Sequence, residues 1–156
     1  MTGLEEMDEM EELVIGIDLS DTYTKINCFE EEKSWTVPTV ICKKKQEDKW
    51  YVGKEAYGLV LTGTGIIVDK LLSLVMKDGT ATIEGVKYTA GELLEKFLRE
   101  VLKLPAEEYG TDRIAQLAIS LAKVDGRIMD VLLRCADGLN LSRQRLHVAS
   151  HTDSFV

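Results

Sequence analysis

Hydrophobic and polar positions change period several times along the chain, and each change predicts an element. Leu13 to Ile17 is an apolar run that ends at one acid, Asp18; a small polar turn follows, and β-branched and aromatic residues resume at Tyr23. That is the pattern of strand, tight turn, strand, with Asp18 at the mouth of the hairpin. Trp35 to Lys43 reads as extended around Pro38, which suggests an edge or a strand start, and Trp50 to Val52 as a further short strand. Gly53 to Leu61 has helical spacing, broken by Thr62-Gly63-Thr64-Gly65, whose glycine pair reads as a linker. Ile66 to Lys77 carries apolar residues at Ile67, Leu71, Leu74 and Val75 and ends at Asp78-Gly79. Thr80 to Ile83 and Val86 to Thr89 flank Glu84-Gly85 as a hairpin.

The second half of the chain alternates helix and strand. Thr89 followed by Glu92 fits a capping box, and Leu93, Leu94, Phe97, Leu98, Val101 and Leu102 form one apolar helix face that Pro105 is expected to close. Arg113 to Leu121 is apolar enough to predict a strand buried on both faces. Asp125-Gly126 caps a helix from about Arg127 to Leu139, with Ile128, Val131, Leu132 and Cys135 on its inner side, and Arg145 to Ala149 is a last strand. This order of elements describes an α/β protein, a mixed sheet with helices packed on it.

Composition narrows the class. A chain of 156 residues is expected to fold as one domain with a sizeable core. Its 19 basic against 27 acidic side chains give a net charge of -8, which opposes nucleic acid and anionic membrane as partners. Cys28, Cys42 and Cys135 fit no CxxC pattern and read as reduced core thiols of a cytosolic protein. No apolar run is long enough to span a bilayer, so a soluble, cytoplasmic protein is expected. Residues 1–12 form an acidic leader, either a frayed tail or a short helix through Leu4, Met7 and Met10.

The candidate chemistry lies at the first hairpin. A carboxylate at a strand end can hold a hydrated Mg²⁺, while turn hydroxyls and N–H groups face the phosphates that the metal carries. The same residues would equally serve an ordinary hairpin, because Asp and Ser satisfy turn backbone. The chain has neither a P-loop nor a dinucleotide-binding glycine fingerprint, and Lys43 to Lys49 reads as a solvated loop. His147 and His151 are spaced for a helix but fall in and beyond a strand, which argues against zinc, and neither Ser120 nor Ser150 has the surroundings of a hydrolase nucleophile.

Ile15-Gly16-Ile17-Asp18-Leu19-Ser20-Asp21-Thr22-Tyr23-Thr24 resembles the first phosphate loop of the actin-like ATPases, and specifically of the DnaK-type heat-shock chaperones, whose pattern is Ile-Gly-Ile-Asp-Leu-Gly-Thr-Thr-x-Ser. Trp35 to Ile41 is similar to the chaperones' Thr-Pro-Ser strand, Tyr51 to Ala56 to their Val-Gly-x-x-Ala, and Ile67 to Leu72 to the segment bearing their catalytic lysine. Thr89 to Leu104 resembles the helix after that subdomain, Ala118 to Leu139 the Ile-Thr-Val-Pro-Ala strand and following helix, and Leu146 to Val156 the strand leading into Asn-Glu-Pro-Thr.

The resemblance implies a ribonuclease-H-like lobe over residues 13–156, with a small inserted hairpin and helix subdomain at about 39–88. The second lobe of the family's cleft would lie beyond Val156, as in an excised piece of a longer protein, or be missing, as in a single-lobe relative. The resemblance further implies Mg-ATP as cofactor, with Asp18 reaching Mg²⁺ through water and Lys70 near the γ-phosphate as the catalytic pair. Ser20, Asp21, Thr22 and Thr24 would line the phosphates.

Departures accompany the match. Ser20 stands where the family has glycine, Asp21 where it has threonine, Leu121 at the switch proline and His151 at the catalytic glutamate, which argues against hydrolysis by the family's mechanism. Asp21 about 4 Å from a phosphate charge, at an effective dielectric of ~20, would oppose binding by up to ~4 kcal/mol unless it turned outward or bound the metal. Two functions are therefore expected: the first lobe of a DnaK-like chaperone ATPase coupled to a client or partner, or a degenerate lobe acting as a scaffold, with Trp50, Tyr57 and the acidic face among its contacts. Under either, the isolated chain is expected to be inactive.

Overall fold

The computed structural model describes residues 12–29 and 33–150; residues 1–11, 30–32 and 151–156, including His151, lie outside them. In chain order the elements are β1 (Leu13–Leu19), β2 (Tyr23–Cys28), β3 (Lys33–Pro38), β4 (Ile41–Lys44), β5 (Trp50–Tyr51), α1 (Gly53–Leu61), β6 (Gly65–Val68) and α2 (Leu71–Met76). They continue as β7 (Thr80–Ile83), β8 (Val86–Thr89), α3 (Ala90–Tyr109), β9 (Ile114–Leu121), α4 (Gly126–Gly138), a 3-10 turn (Arg143–Arg145) and β10 (Leu146–Ser150).

A five-stranded sheet in the order β10-β9-β1-β2-β3 organises the molecule. β1 is central, parallel to β9 and antiparallel to β2, so the sheet is mixed as its pattern predicts. Leu13, Ile15, Ile17 and Leu19 are buried on one face with Leu117, Ile119 and Leu121 of β9, and the α3 and α4 side chains Leu94, Phe97, Val101, Ile128 and Leu132 fill that core. β9 is not buried on both faces as expected. Its other face carries exposed Gln116 and half-buried Ala118 and Ser120, because both long helices pack on one side of the sheet. Small residues had lent the strand an apolar average without a second core to enter.

Residues 41–89 build two smaller sheets, β5-β4-β6 and the β7-β8 hairpin. Trp35 to Lys43 is therefore two strands. Pro38 ends β3, the edge of the large sheet, and the backbone turns at Thr39, whose N–H donates to the Thr22 carbonyl at 3.1 Å. The Thr24 and Thr39 hydroxyls share a 2.7 Å hydrogen bond with both residues fully buried. The Gly63–Gly65 pair is no linker: Gly63 turns with φ +75, and Gly65 opens β6 where a Cβ would lie 2.6 Å from both Cys42 Sγ and Leu59 Cβ. Glu84 (φ 50) and Gly85 (φ 81) make the expected hairpin turn. Glu84 accepts from Lys43 Nζ at 2.6 Å and from the Gln46 N–H at 3.0 Å, which fastens one small sheet to the other.

Both predicted N-cap residues accept from the first turn of their helices, the Thr89 hydroxyl from the Glu92 N–H at 3.1 Å and the Asp125 carboxylate from the Ile128 N–H at 3.0 Å. Pro105 does not close α3, which runs on to Tyr109 and stops at left-handed Gly110. The proline ring is buried, and the turn beyond it is anchored on β3 by the edge-on packing of Tyr109 against Trp35 (6.4 Å) and by the Lys33–Glu108 ion pair. That tertiary burial outweighs the missing helical hydrogen bond. Trp50 lies between Tyr88 (5.2 Å) and the Lys96 ammonium (4.9 Å), so it packs within the molecule. Cys28, Cys42 and Cys135 are buried.

Two outcomes follow for stability. Thr24→Val strands the buried Thr39 hydroxyl and is expected to cost about 1–3 kcal/mol in urea unfolding, whereas the Thr24→Val/Thr39→Val pair costs much less, because no polar group is then left unpaired. The Lys43 ammonium, then the Gln46 N–H, hold the Glu84 carboxyl below its ordinary value of 4.5. A depressed folded pKa contributes stability above the unfolded value that is lost as pH falls through the folded one. The urea midpoint of the wild type should therefore drop more steeply below about pH 4.5 than that of Glu84→Gln, and parallel curves would refute the tie.

Candidate functional site

Alternation along β1 sends Ile17 and Leu19 into the core and leaves Asp18 exposed between them. In the register Asp18 stands beside Ser120 of β9 and opposite Lys25 of β2, and the Ser120 hydroxyl lies 3.4 Å from an Asp18 carboxylate oxygen. This outer face is made of small side chains. Gly16, Ala118, Ser120 and Ala149 border a shallow depression of about 220 Å³ that Phe29 and His147 flank. Gly16 is required beneath the Phe29 ring, since a Cβ there would approach it to 2.7 Å.

The turn after β1 is closed by its own residues. The Ser20 N–H donates to the Tyr23 carbonyl at 3.2 Å, and the Ser20 hydroxyl donates to the same oxygen at 2.7 Å. Thr22 is exposed beside it. Thr24 is not on this surface: alternation turns it inward to its bond with Thr39. Asp21 also leaves the turn. One of its oxygens accepts from the Leu72 N–H at 2.8 Å, the other from the Ser73 N–H at 3.2 Å, and the Ser73 hydroxyl donates to the carboxylate as well.

Those contacts bring Lys70 to the same neighbourhood. It is exposed and precedes α2 in the left-handed conformation, φ 51 and ψ 46. Asp21 thus links the turn that carries Ser20 and Thr22, next to Asp18, to the segment that begins at Lys70, with Thr24 turned behind it. The place of Ser120 beside Asp18 and the whole part played by Ser73 escape the sequence reading. The first follows once β9 is placed parallel to β1, but the second has no local signal, since Asp21 precedes Ser73 by 52 residues.

Other chemistries find little support. Burial, and then the Glu95 charge, push the Cys135 thiol up to about 11, and burial raises that of Cys42, so neither is a thiolate near neutral pH. His147 pairs with Gln116 at 2.6 Å. Among the described residues no three His, Cys, Asp or Glu side chains converge as a metal-binding group, and no helix is long and apolar enough to cross a membrane.

No curated protein matches the chain. Among solved structures, a non-polymerising mutant of MamK bound to AMPPNP is similar with a TM-score of 0.62 at 19% identity, over 89% of this chain and 41% of that one. The chain thus spans 41% of the length of that structure. The likeness shows the fold, a mixed sheet with helices of the actin-like kind. The sequence model described as "Family of unknown function (DUF5716) C-terminal" matches residues 22–156. The chain belongs to that family, and its fold is actin-like.

Proposed function

We propose that this chain supplies the phosphate-and-metal side of a nucleotide cleft, with Mg-ATP as ligand and a second lobe of the full-length protein as the other wall. The observation that carries this is the tie made by the Asp21 carboxylate, which joins the β1–β2 turn just after Asp18 to the segment that begins at Lys70. A single exposed carboxylate suits Mg²⁺, which keeps several of its waters and takes few protein ligands. Asp18 would hold the hydrated metal, with Ser120 and Lys25 beside it. The Thr22 hydroxyl is exposed where it can face a phosphate oxygen. Lys70 forms no ion pair or hydrogen bond through its ammonium among the described residues, so that charge is available to phosphate.

Asp21, the residue most adverse to an anion, has its carboxylate engaged at the N-terminus of α2, so the residues present fit the ligand better than the sequence suggests. The bound metal would supply neutralisation of phosphate charge, and the chain would supply position. The finer assignment, a DnaK-like lobe serving a client or partner, rests on the loop and lysine segments of the sequence. A second reading, an interaction module, is favoured by one feature: Tyr57, Val60 and Leu61 of α1 are 43%, 37% and 87% exposed, at the i, i+3, i+4 spacing of one helix face.

Calorimetric titration of Mg-ATP into the full-length product of the native gene tests the proposal. Asp18→Ala and Lys70→Ala should each weaken binding roughly 10- to 100-fold, the scale of one charge-assisted contact. No binding at millimolar nucleotide would overturn the nucleotide reading and leave the α1 surface as the place to look.

A further inference from the structure

We propose that Asp21 is a positioning residue for this site. Its carboxylate fastens the β1–β2 turn to the first turn of α2 and so holds Lys70 beside the phosphate-facing turn. The inference rests on the nucleotide reading above and assigns the element that regulates the geometry of the same site.

Three observations carry it. First, the contacts are tertiary: the donors are the Leu72 N–H, the Ser73 N–H and the Ser73 hydroxyl, 51 and 52 residues away, and they meet both carboxylate oxygens. A hydroxyl or amide could not accept all of them in this way, because only a carboxylate offers two acceptor oxygens and no donor to oppose the N–H groups. Second, α2 has no other source of a cap. Lys70 occupies the cap position with no side-chain hydrogen bond, and no acidic residue lies in the first turn. The opening N–H groups of a helix lack partners within it, and here a residue from another element satisfies them.

Third, Lys70 itself is strained. A non-glycine residue in the left-handed region persists only where its surroundings fix it on both sides. On one side Val68 is paired to Ile41 in the small sheet; on the other Leu71 and Leu72 are buried and the Leu72 and Ser73 N–H groups are held by Asp21. Freed from the carboxylate, the first turn of α2 can fray, and the backbone at Lys70 can relax to an ordinary conformation that carries the ammonium elsewhere. The same contacts place the Asp21 charge against the positive end of a helix, away from an incoming anion.

The test uses the full-length protein with Asp21→Asn, Ser73→Ala, Lys70→Ala and the Asp21→Asn/Lys70→Ala pair. Amide hydrogen exchange without nucleotide reads the fastening, and Mg-ATP titration well below the unfolding temperature reads the positioning. Asp21→Asn is expected to speed exchange at Leu72 and Ser73 and to weaken Mg-ATP about tenfold, with Ser73→Ala acting in the same direction and less. The double variant should bind no more weakly than Lys70→Ala alone, because the effect acts through that lysine. Unchanged exchange in Asp21→Asn, wild-type affinity in Asp21→Asn, or a full second weakening on top of Lys70→Ala would each overturn the role while leaving nucleotide binding intact. Absence of Mg-ATP binding by the wild type would instead overturn the nucleotide reading, and the positioning role with it.

Discussion

The one-sided burial of β1 is the constraint on which the rest depends. Its inward residues Leu13, Ile15, Ile17 and Leu19 are 7%, 1%, 2% and 0% exposed, while Asp18 between them is open to solvent. Because side chains alternate along a strand, a slip of one residue would carry Asp18 into the core and isoleucines to the surface. Burying an unpaired carboxylate costs far more than any register contact could return. The core therefore fixes the position of the acid. Pairing on both edges then fixes its neighbours, Ser120 through the parallel ladder and Lys25 through the hairpin.

The elements between β3 and α3 depend on that sheet through a few discrete ties. Thr24 and Thr39 share a buried hydrogen bond where the chain leaves the large sheet, Asp21 holds α2, and Lys43 with Glu84 joins the two small sheets. Lys96 reaches Trp50 from α3, and Arg127 of α4 donates to the Met76 carbonyl at the far end of α2. α2 is thus gripped at both ends, by a carboxylate from the first hairpin and a guanidinium from the last helix. Its six residues are too few to be helical alone, so its order is a product of these contacts and of burying Leu71, Leu72 and Val75.

Local rules carried the reading where the deciding contact was local. The capping residues Thr89 and Asp125 and the Glu84-Gly85 turn depend on neighbours within a few positions, and each is as the sequence implied. The misreadings have distant causes. α3 continues through Pro105 because Trp35 and Lys33 on an edge strand hold its last turn, and β9 keeps an open face because both long helices lie on the other side. Within the candidate site, Asp18 could be placed near the end of its own strand from the apolar run that leads to it. Asp21 could not, since whether an acid in a turn faces outward or caps a helix depends on a helix half a hundred residues on.

The destination of Asp21 also bears on how the proposed ligand could be held. At ~4 Å and an effective dielectric of ~20, a carboxylate facing a phosphate would oppose binding by up to ~4 kcal/mol, more than the roughly 1.5–3 kcal/mol that a hydrogen bond to a charged group returns. Engaged with α2, the charge is compensated locally, yet the chain as a whole carries a net charge of -8, against which the turn sets the two cations Lys25 and Lys70. The outer face is open, so each polar contact made there replaces one with water and contributes only about 1 kcal/mol. A few such contacts correspond to binding no tighter than millimolar. On the proposed reading, useful affinity for a phosphate on this surface would call for a metal ion to offset the phosphate charge and a second body to exclude water.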